Sequence, residues 1–231
     1  MRVVVKVGTS TLAHKSGCID IRHIEQLCKV ISDLKNAGHE MVLVSSGAIG
    51  MGVGKLALNE RPSDMQTKQA VAAVGQCELM YAYDKLFSEY NHTVAQVLVT
   101  GQDINENDTV ATEEISIGDN DTLGALVAVS VKADLLVMLS DIDGMYTADP
   151  YADKDAKLIK IVDEINSDIL AASGDKHSGL GTGGMNTKLR AAGICMKNGT
   201  DTVIANGSNP AVLYDILEGK QIGTRFVSKK K

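Results

Sequence analysis

Tryptophan is absent from these 231 residues, phenylalanine occurs twice, and the net charge is -6. A nucleic-acid surface ordinarily needs stacking rings and a basic stripe, so both shortages argue against one. The terminal Lys229-Lys230-Lys231 is a short run that reads as a solvated end. No apolar stretch approaches the roughly 18 residues of a membrane helix. The chain also starts directly on the strand-like Val3-Val4-Val5, so neither membrane insertion nor export is expected, and the cytoplasm is. Cys18, Cys28, Cys77 and Cys195 form no CxxC pair and have no histidine at metal-site spacing. They read as reduced, buried thiols of an intracellular protein, and no resident metal is expected. The histidines are dispersed as well, with only His177 in a suggestive loop. Three catalytic signatures are missing too: the GxxxxGK[ST] loop, a GxGxxG opening a helix after the first strand, and the GxSxG elbow.

What is there is an α/β chain with 44% hydrophobic residues, enough for one large domain over 1–231. Val3 to Val7 reads as a buried strand ending in the small-residue turn Gly8-Thr9-Ser10-Thr11. From Asp20, an N-cap, Ile24, Leu27, Cys28, Ile31 and Leu34 recur at helical spacing until Gly38. Met41 to Val44 is the second strand and runs into the glycine-rich Ser45-Ser46-Gly47-Ala48-Ile49-Gly50. Backbone N–H groups in such a turn, at the start of a helix, suit an anion. A long helix is expected over about 66–90, with Val71, Val74, Leu79, Tyr83, Leu86, Phe87 and Tyr90 as core positions. Further strands are expected at 94–99, 135–139 and 202–205, with a hairpin-like alternation at 110–117. Helices are expected at 122–132, within 161–172, from Met185 to Gly199 and near 211–217.

The polar residues concentrate where strands end. Asp108, Asp119, Asn120 and Asp121 flank the alternation at 110–117 and are placed to converge on one ligand. Lys6 interrupts an apolar strand, and Lys188 opens a helix, a position that disfavours a cation unless an anion sits there. Asp141 follows a buried strand, at the edge where ligands bind in open parallel sheets. Two lysines, several carboxylates and glycine-rich backbone are the equipment of phosphoryl transfer, where catalysis is mostly positioning and charge neutralisation. Asp119 and Asp141 suit holding the lysines or a magnesium ion. The glycines before Lys188 suit a mobile nucleotide cover.

Val5-Lys6-Val7-Gly8-Thr9-Ser10, Ser45-Ser46-Gly47-Ala48-Ile49, Ile104-Asn105-Glu106-Asn107-Asp108 and Gly118-Asp119-Asn120-Asp121 resemble the glutamate 5-kinases of the amino-acid kinase superfamily. So do the stretch from Asp143-Gly144-Met145-Tyr146 to Pro150 and Gly181-Thr182-Gly183-Gly184-Met185-Asn186-Thr187-Lys188. The resemblance implies a three-layer sandwich around a mainly parallel, eight-stranded sheet, and ATP-dependent phosphorylation of the γ-carboxylate of L-glutamate, the first step of proline synthesis. It implies that Ser46, Asp108 and Asn120 bind glutamate. Lys6 and Lys188 would stabilise the transferring phosphoryl group, oriented by Asp119 and Asp141. Ser140, Asp141 and the segment Thr182, Gly183, Gly184, Met185, Asn186, Thr187 and Lys188 would contact the nucleotide, and the backbone of Gly8 and Gly47 the phosphates. Magnesium would come with ATP, proline would be a feedback inhibitor, and the protein would be a homo-oligomer, dimer or tetramer. Rival readings are a kinase of another carboxylate or carbamate, and a non-catalytic amino-acid sensor of the same fold.

Two departures stand out. The family has a helix and a strand between the Gln96-Val97-Leu98-Val99-Thr100 strand and Ile104, where this chain has only Gly101-Gln102-Asp103. Either that crossover is lost or the sequence as it stands omits it, and omission fits better because a parallel sheet needs the crossover. The chain also ends at Lys231, which implies a short form without a C-terminal PUA module.

Overall fold

A computed structural model describes residues 1–14, 18–97, 119–173 and 184–229. Strand β1 (Arg2–Val7) lies between β2 (Glu40–Ser45) and β3 (Leu135–Ser140), parallel to both, with Val7 opposite Ser45 and Leu139. Beyond β3 comes the parallel strand β5 (Asp201–Asn206), then antiparallel β6 (Thr224–Phe226), then the two-residue β4 (Ile161–Val162). Six strands in the order β2-β1-β3-β5-β6-β4 thus make a mainly parallel sheet among the described residues. The alternation expected at 110–117 lies outside them.

Period-two alternation along β1 separates the two faces. Val3, Val5 and Val7 point to a core shared with α2 (Ile21–Asn36), α4 (Met65–Ser88) and α8 (Val212–Leu217). Val4 points to the opposite core, built with α5 (Asn120–Ser130) and α7 (Met185–Lys197). Helices therefore cover both faces, the third layer of the sandwich. Lys6 has the parity of Val4, so its side chain is sent toward α5 and α7. The short helices α1 (Thr9–Leu12), α3 (Ala48–Lys55) and α6 (Ser167–Ala172) complete the described elements.

Helix α2 starts where Asp20 accepts from the His23 N–H at 3.0 Å, and its expected apolar face is buried. In α4, Val71, Leu79, Tyr83, Leu86 and Phe87 are buried as expected, but Val74 and Tyr90 are exposed at 36% and 37%. Position 74 falls on the side of the helix away from the stripe that the others share, and Tyr90 lies past the helix end. The expected strand at 94–99 is not formed over its described part. Residues 94–97 are irregular and Val97 is 78% exposed, because strand-forming side chains make a strand only where a sheet edge pairs with them. Two of the four cysteines also depart from expectation: Cys28 and Cys195 are buried, with thiols pushed up to about 12 by burial, whereas Cys18 and Cys77 are exposed. Neither β4 nor β6 was expected.

Candidate active site

The parallel strands β1, β2, β3 and β5 end side by side, which sets Gly8, Ser46, Asp141 and Gly207 along one edge of the sheet. Lys6 reaches that edge from β1. Its ammonium lies 2.7 Å from Oδ1 of Asp121, and Lys188 in the first turn of α7 places its ammonium 3.3 Å from Oδ2. All three are buried, Asp121 at 1% exposure. The Thr187 hydroxyl lies 2.7 Å from the same Oδ2 and 2.8 Å from the Gly184 carbonyl oxygen. The Lys6 contact is a buried ion pair.

Burial by itself would push the Asp121 carboxyl up, but Lys188 and Lys6, with the Thr187 hydroxyl, outweigh it and hold it below the ordinary carboxylate range. Among the described residues, one carboxylate stands against two ammonium groups in this buried corner of the sheet edge. Such a corner suits an anion that carries more than one negative charge.

Asp121, then, is the carboxylate in contact with both ammonium groups. Asp119 and Asp141, expected to orient the lysines, make other contacts among the described residues. Asp119 is the N-cap of α5, its two oxygens accepting from Thr122 N at 2.8 Å and Thr122 Oγ1 at 2.9 Å. Asp141 accepts from Ser140 Oγ at 3.1 Å, just beyond the end of β3. The physical reason is helix phase: Asp121 shares a face with the buried Gly124, Ala125 and Ala128, the face turned to the sheet, whereas the cap residue precedes the helix. An aspartate in phase with an apolar stripe was the signal available in the sequence.

A second cluster lies beside the first. Asn120 Nδ2 donates to Ser46 Oγ at 2.8 Å, so two residues expected to share a ligand are brought together. Ser46 itself is 7% exposed and its N–H donates to the Val7 carbonyl. Gly47 next to it has φ of 115°, in the left-handed region that favours glycine, and opens α3. Gly8 is close to Lys6: a Cβ built on it would stand 3.8 Å from the ammonium. Gly184, Met185 and Asn186 lie at the start of α7, where Ser173 Oγ donates to Asn186 Oδ1. Asp108, Thr182 and Gly183 fall outside the described residues, as does His177. Sequence reasoning gave no part in the site to Ser45 or to Tyr83, expected only as a core position; their hydroxyls lie 2.7 Å apart.

The residues fit a magnesium ion that arrives on phosphate oxygens better than a resident one. Asp121 is engaged by two lysines and a threonine, and no group of three His, Cys, Asp or Glu side chains gathers at metal-binding range among the described residues. No helix among them is long and apolar enough to cross a membrane.

A mainly parallel sheet between helix layers, with two lysines sharing a buried carboxylate at its carboxyl edge, defines the phosphotransferase class to which the comparisons lead. The model of the amino acid kinase family matches residues 1–112 and 104–206. A glutamate 5-kinase of Clostridium perfringens is 49% identical over 258 aligned positions, covering 99% of this chain and 96% of the relative. One from Listeria monocytogenes is 48% identical over 259, covering 100% and 94%. The chain belongs to the amino acid kinase family and, within it, to the glutamate 5-kinases. Among solved structures, a carbamate kinase from Giardia lamblia bound to AMP-PNP shares the fold, with a TM-score of 0.65 at 20% identity, covering 99% of this chain and 98% of that one.

Proposed function

We propose that this protein transfers the γ-phosphoryl group of ATP to the γ-carboxylate of L-glutamate, giving L-glutamyl 5-phosphate and ADP for proline synthesis. The observation that carries the reading is the Lys6–Asp121–Lys188 cluster at the sheet edge, beside the linked Ser46 and Asn120. A carboxylate oxygen of glutamate attacks the γ-phosphorus, and the bond from that phosphorus to the bridging oxygen breaks with its electron pair leaving on ADP. Free carboxylates titrate near pH 4.3, so the nucleophile is already ionised at neutral pH and the reaction needs no general base.

In this reading Lys6 and Lys188 neutralise the equatorial oxygens of the transferring group, and Asp121 keeps both ammonium groups in register. Asp119 serves by capping the helix that carries Asp121, and Asp141 with Ser140 faces the nucleotide. Ser46, Asn120 and Asp108 take glutamate, and residues 182–188 cover ATP. The backbones of Gly8 and Gly47 offer N–H groups to phosphate. Magnesium brought with ATP would offset the charge of its phosphates.

The reading also treats residues 1–231 as one amino-acid kinase domain lacking a crossover between 103 and 104. The family match falling in two stretches that overlap at 104–112 supports that placement. A cytoplasmic homo-oligomer, dimer or tetramer, inhibited by proline completes it.

The test is turnover of separate candidate acids with Mg-ATP, trapping any acyl phosphate as its hydroxamate. Hydroxamate from L-glutamate alone is the expected result. Product only from acetylglutamate, aspartate or carbamate assigns a sister reaction. Binding of glutamate or proline with no turnover assigns the sensor reading.

A further inference from the structure

Ser46 is held from three directions. Its N–H donates to Val7 O at 3.2 Å, its Oγ accepts from Asn120 Nδ2 at 2.8 Å, and its carbonyl accepts from Ser45 Oγ at 3.1 Å. A serine hydroxyl has one hydrogen, and that of Ser45 goes to the Ser46 carbonyl. The 2.7 Å contact between Ser45 Oγ and Tyr83 OH therefore runs from the phenol to the serine. The chain of donation is Tyr83 to Ser45 to the backbone of Ser46. With its oxygen taken by Asn120, the Ser46 hydroxyl keeps one hydrogen for a ligand acceptor.

Tyr83 is well fixed for this task. It is 4% exposed on α4 and its ring centroid lies 6.1 Å from that of Phe87. Burial pushes its pKa up, so the phenol keeps its proton and stays a donor at neutral pH. Helix α4 in turn packs backbone to backbone on α3. A Cβ on Gly75 would stand 1.8 Å from the Ala48 carbonyl oxygen, and one on Gly52 would stand 2.0 Å from that of Val71. The backbones of the two helices touch at Ala48, two residues after Ser46.

We propose that Tyr83 is a positioning residue for the acceptor carboxylate, acting through Ser45 to fix the backbone of Ser46 and so the direction of its hydroxyl. The inference rests on the assignment of Ser46 to glutamate. A buried tyrosine with a structural role alone satisfies its hydroxyl wherever an acceptor lies nearest. Here the relay ends on the carbonyl of the residue that the binding site uses.

Tyr83→Phe keeps the ring and removes the relay. The Michaelis constant for L-glutamate is expected to rise about fivefold, the size of one neutral hydrogen bond, with kcat and the Michaelis constant for ATP within about twofold. Ser45→Ala should produce the same selective rise, and the double variant should be no worse than the worse single one. Amide hydrogen exchange at Ser46 should quicken in Tyr83→Phe while that of Val5 in the same sheet is unchanged. An unchanged Michaelis constant for glutamate, an unchanged Ser46 exchange rate, or a loss shared equally by glutamate and ATP overturns the proposal. If the wild-type protein does not turn over glutamate, the function assigned above fails instead, and the Ser46 exchange rate alone decides the relay.

Discussion

Lys6 and Lys188, from the first strand and the penultimate described helix-bearing segment of the site, meet on the two oxygens of one carboxylate, at 2.7 Å from Oδ1 and 3.3 Å from Oδ2 of Asp121. Removal of the bridge therefore affects both the fold and the chemistry.

Asp121→Ala leaves two buried ammonium groups short of their shared counter-charge. Breaking a buried pair by removing one partner costs about 3–5 kcal/mol, so urea denaturation at pH 7 should show a loss of that order. Asp121→Asn keeps the volume and should lose less stability while still reducing kcat by about 100-fold, since the ammonium groups lose their fixed placement.

The acid response of Asp121 has a definite sign. Its pKa is held below the ordinary 3.8 in the folded protein. Its contribution is therefore fully present above the unfolded value and is lost as pH falls below about 3.8 through the folded pKa. Denaturation of wild type and Asp121→Asn between pH 6 and pH 2 should give a stability difference that is constant at the upper end and shrinks in acid. A difference that grows toward low pH would contradict the geometry.

Lys6→Ala and Lys188→Ala each remove one positive charge from the place where phosphoryl charge develops. Losses in kcat of about 1000-fold or more are expected in the hydroxamate assay, by analogy with other cations that act on transferring phosphoryl groups. Circular dichroism should show that both variants keep the fold, because each leaves Asp121 with one lysine.

Gly75→Ala tests the close helix crossing. The added methyl would overlap the Ala48 carbonyl oxygen at 1.8 Å and the Gly52 nitrogen at 2.4 Å, both backbone atoms. Overpacking of this kind costs about 3 kcal/mol, which for a protein of this size lowers Tm by roughly 6–12 °C. Because the strain falls on the residue following Gly47, affinity for glutamate should fall more than affinity for ATP.

Asn120→Ala removes the donor to Ser46 Oγ. The Michaelis constant for glutamate should rise about tenfold, with thermal stability changed by less than about 2 °C, since the side chain is at the open edge of the site.

Much of the architecture was legible in the residues themselves. The apolar run of β1, the helical spacing from Ile24 to Leu34 and the Asp20 cap are local patterns that a sequence displays directly. Lys6 and Lys188 stood out for the same reason, each a cation where the local pattern disfavours one. Ser46 and Asn120 were singled out by motif, and the fold brought them to 2.8 Å.

What the sequence determined, then, was the order of β1, β2, β3 and β5 and of the longer helices between them, the two exceptional lysines and the family. Tertiary structure alone decided that Asp121 rather than Asp119 or Asp141 lies between those lysines, that Tyr83 stands behind Ser45, that Val94 to Val97 stay out of the sheet, and that Thr224–Phe226 joins it antiparallel. Propensity acts over a few neighbouring residues, whereas the partner of a side chain is set by which helix packs on which face of the sheet. That choice is made by burial of surfaces far apart along the chain.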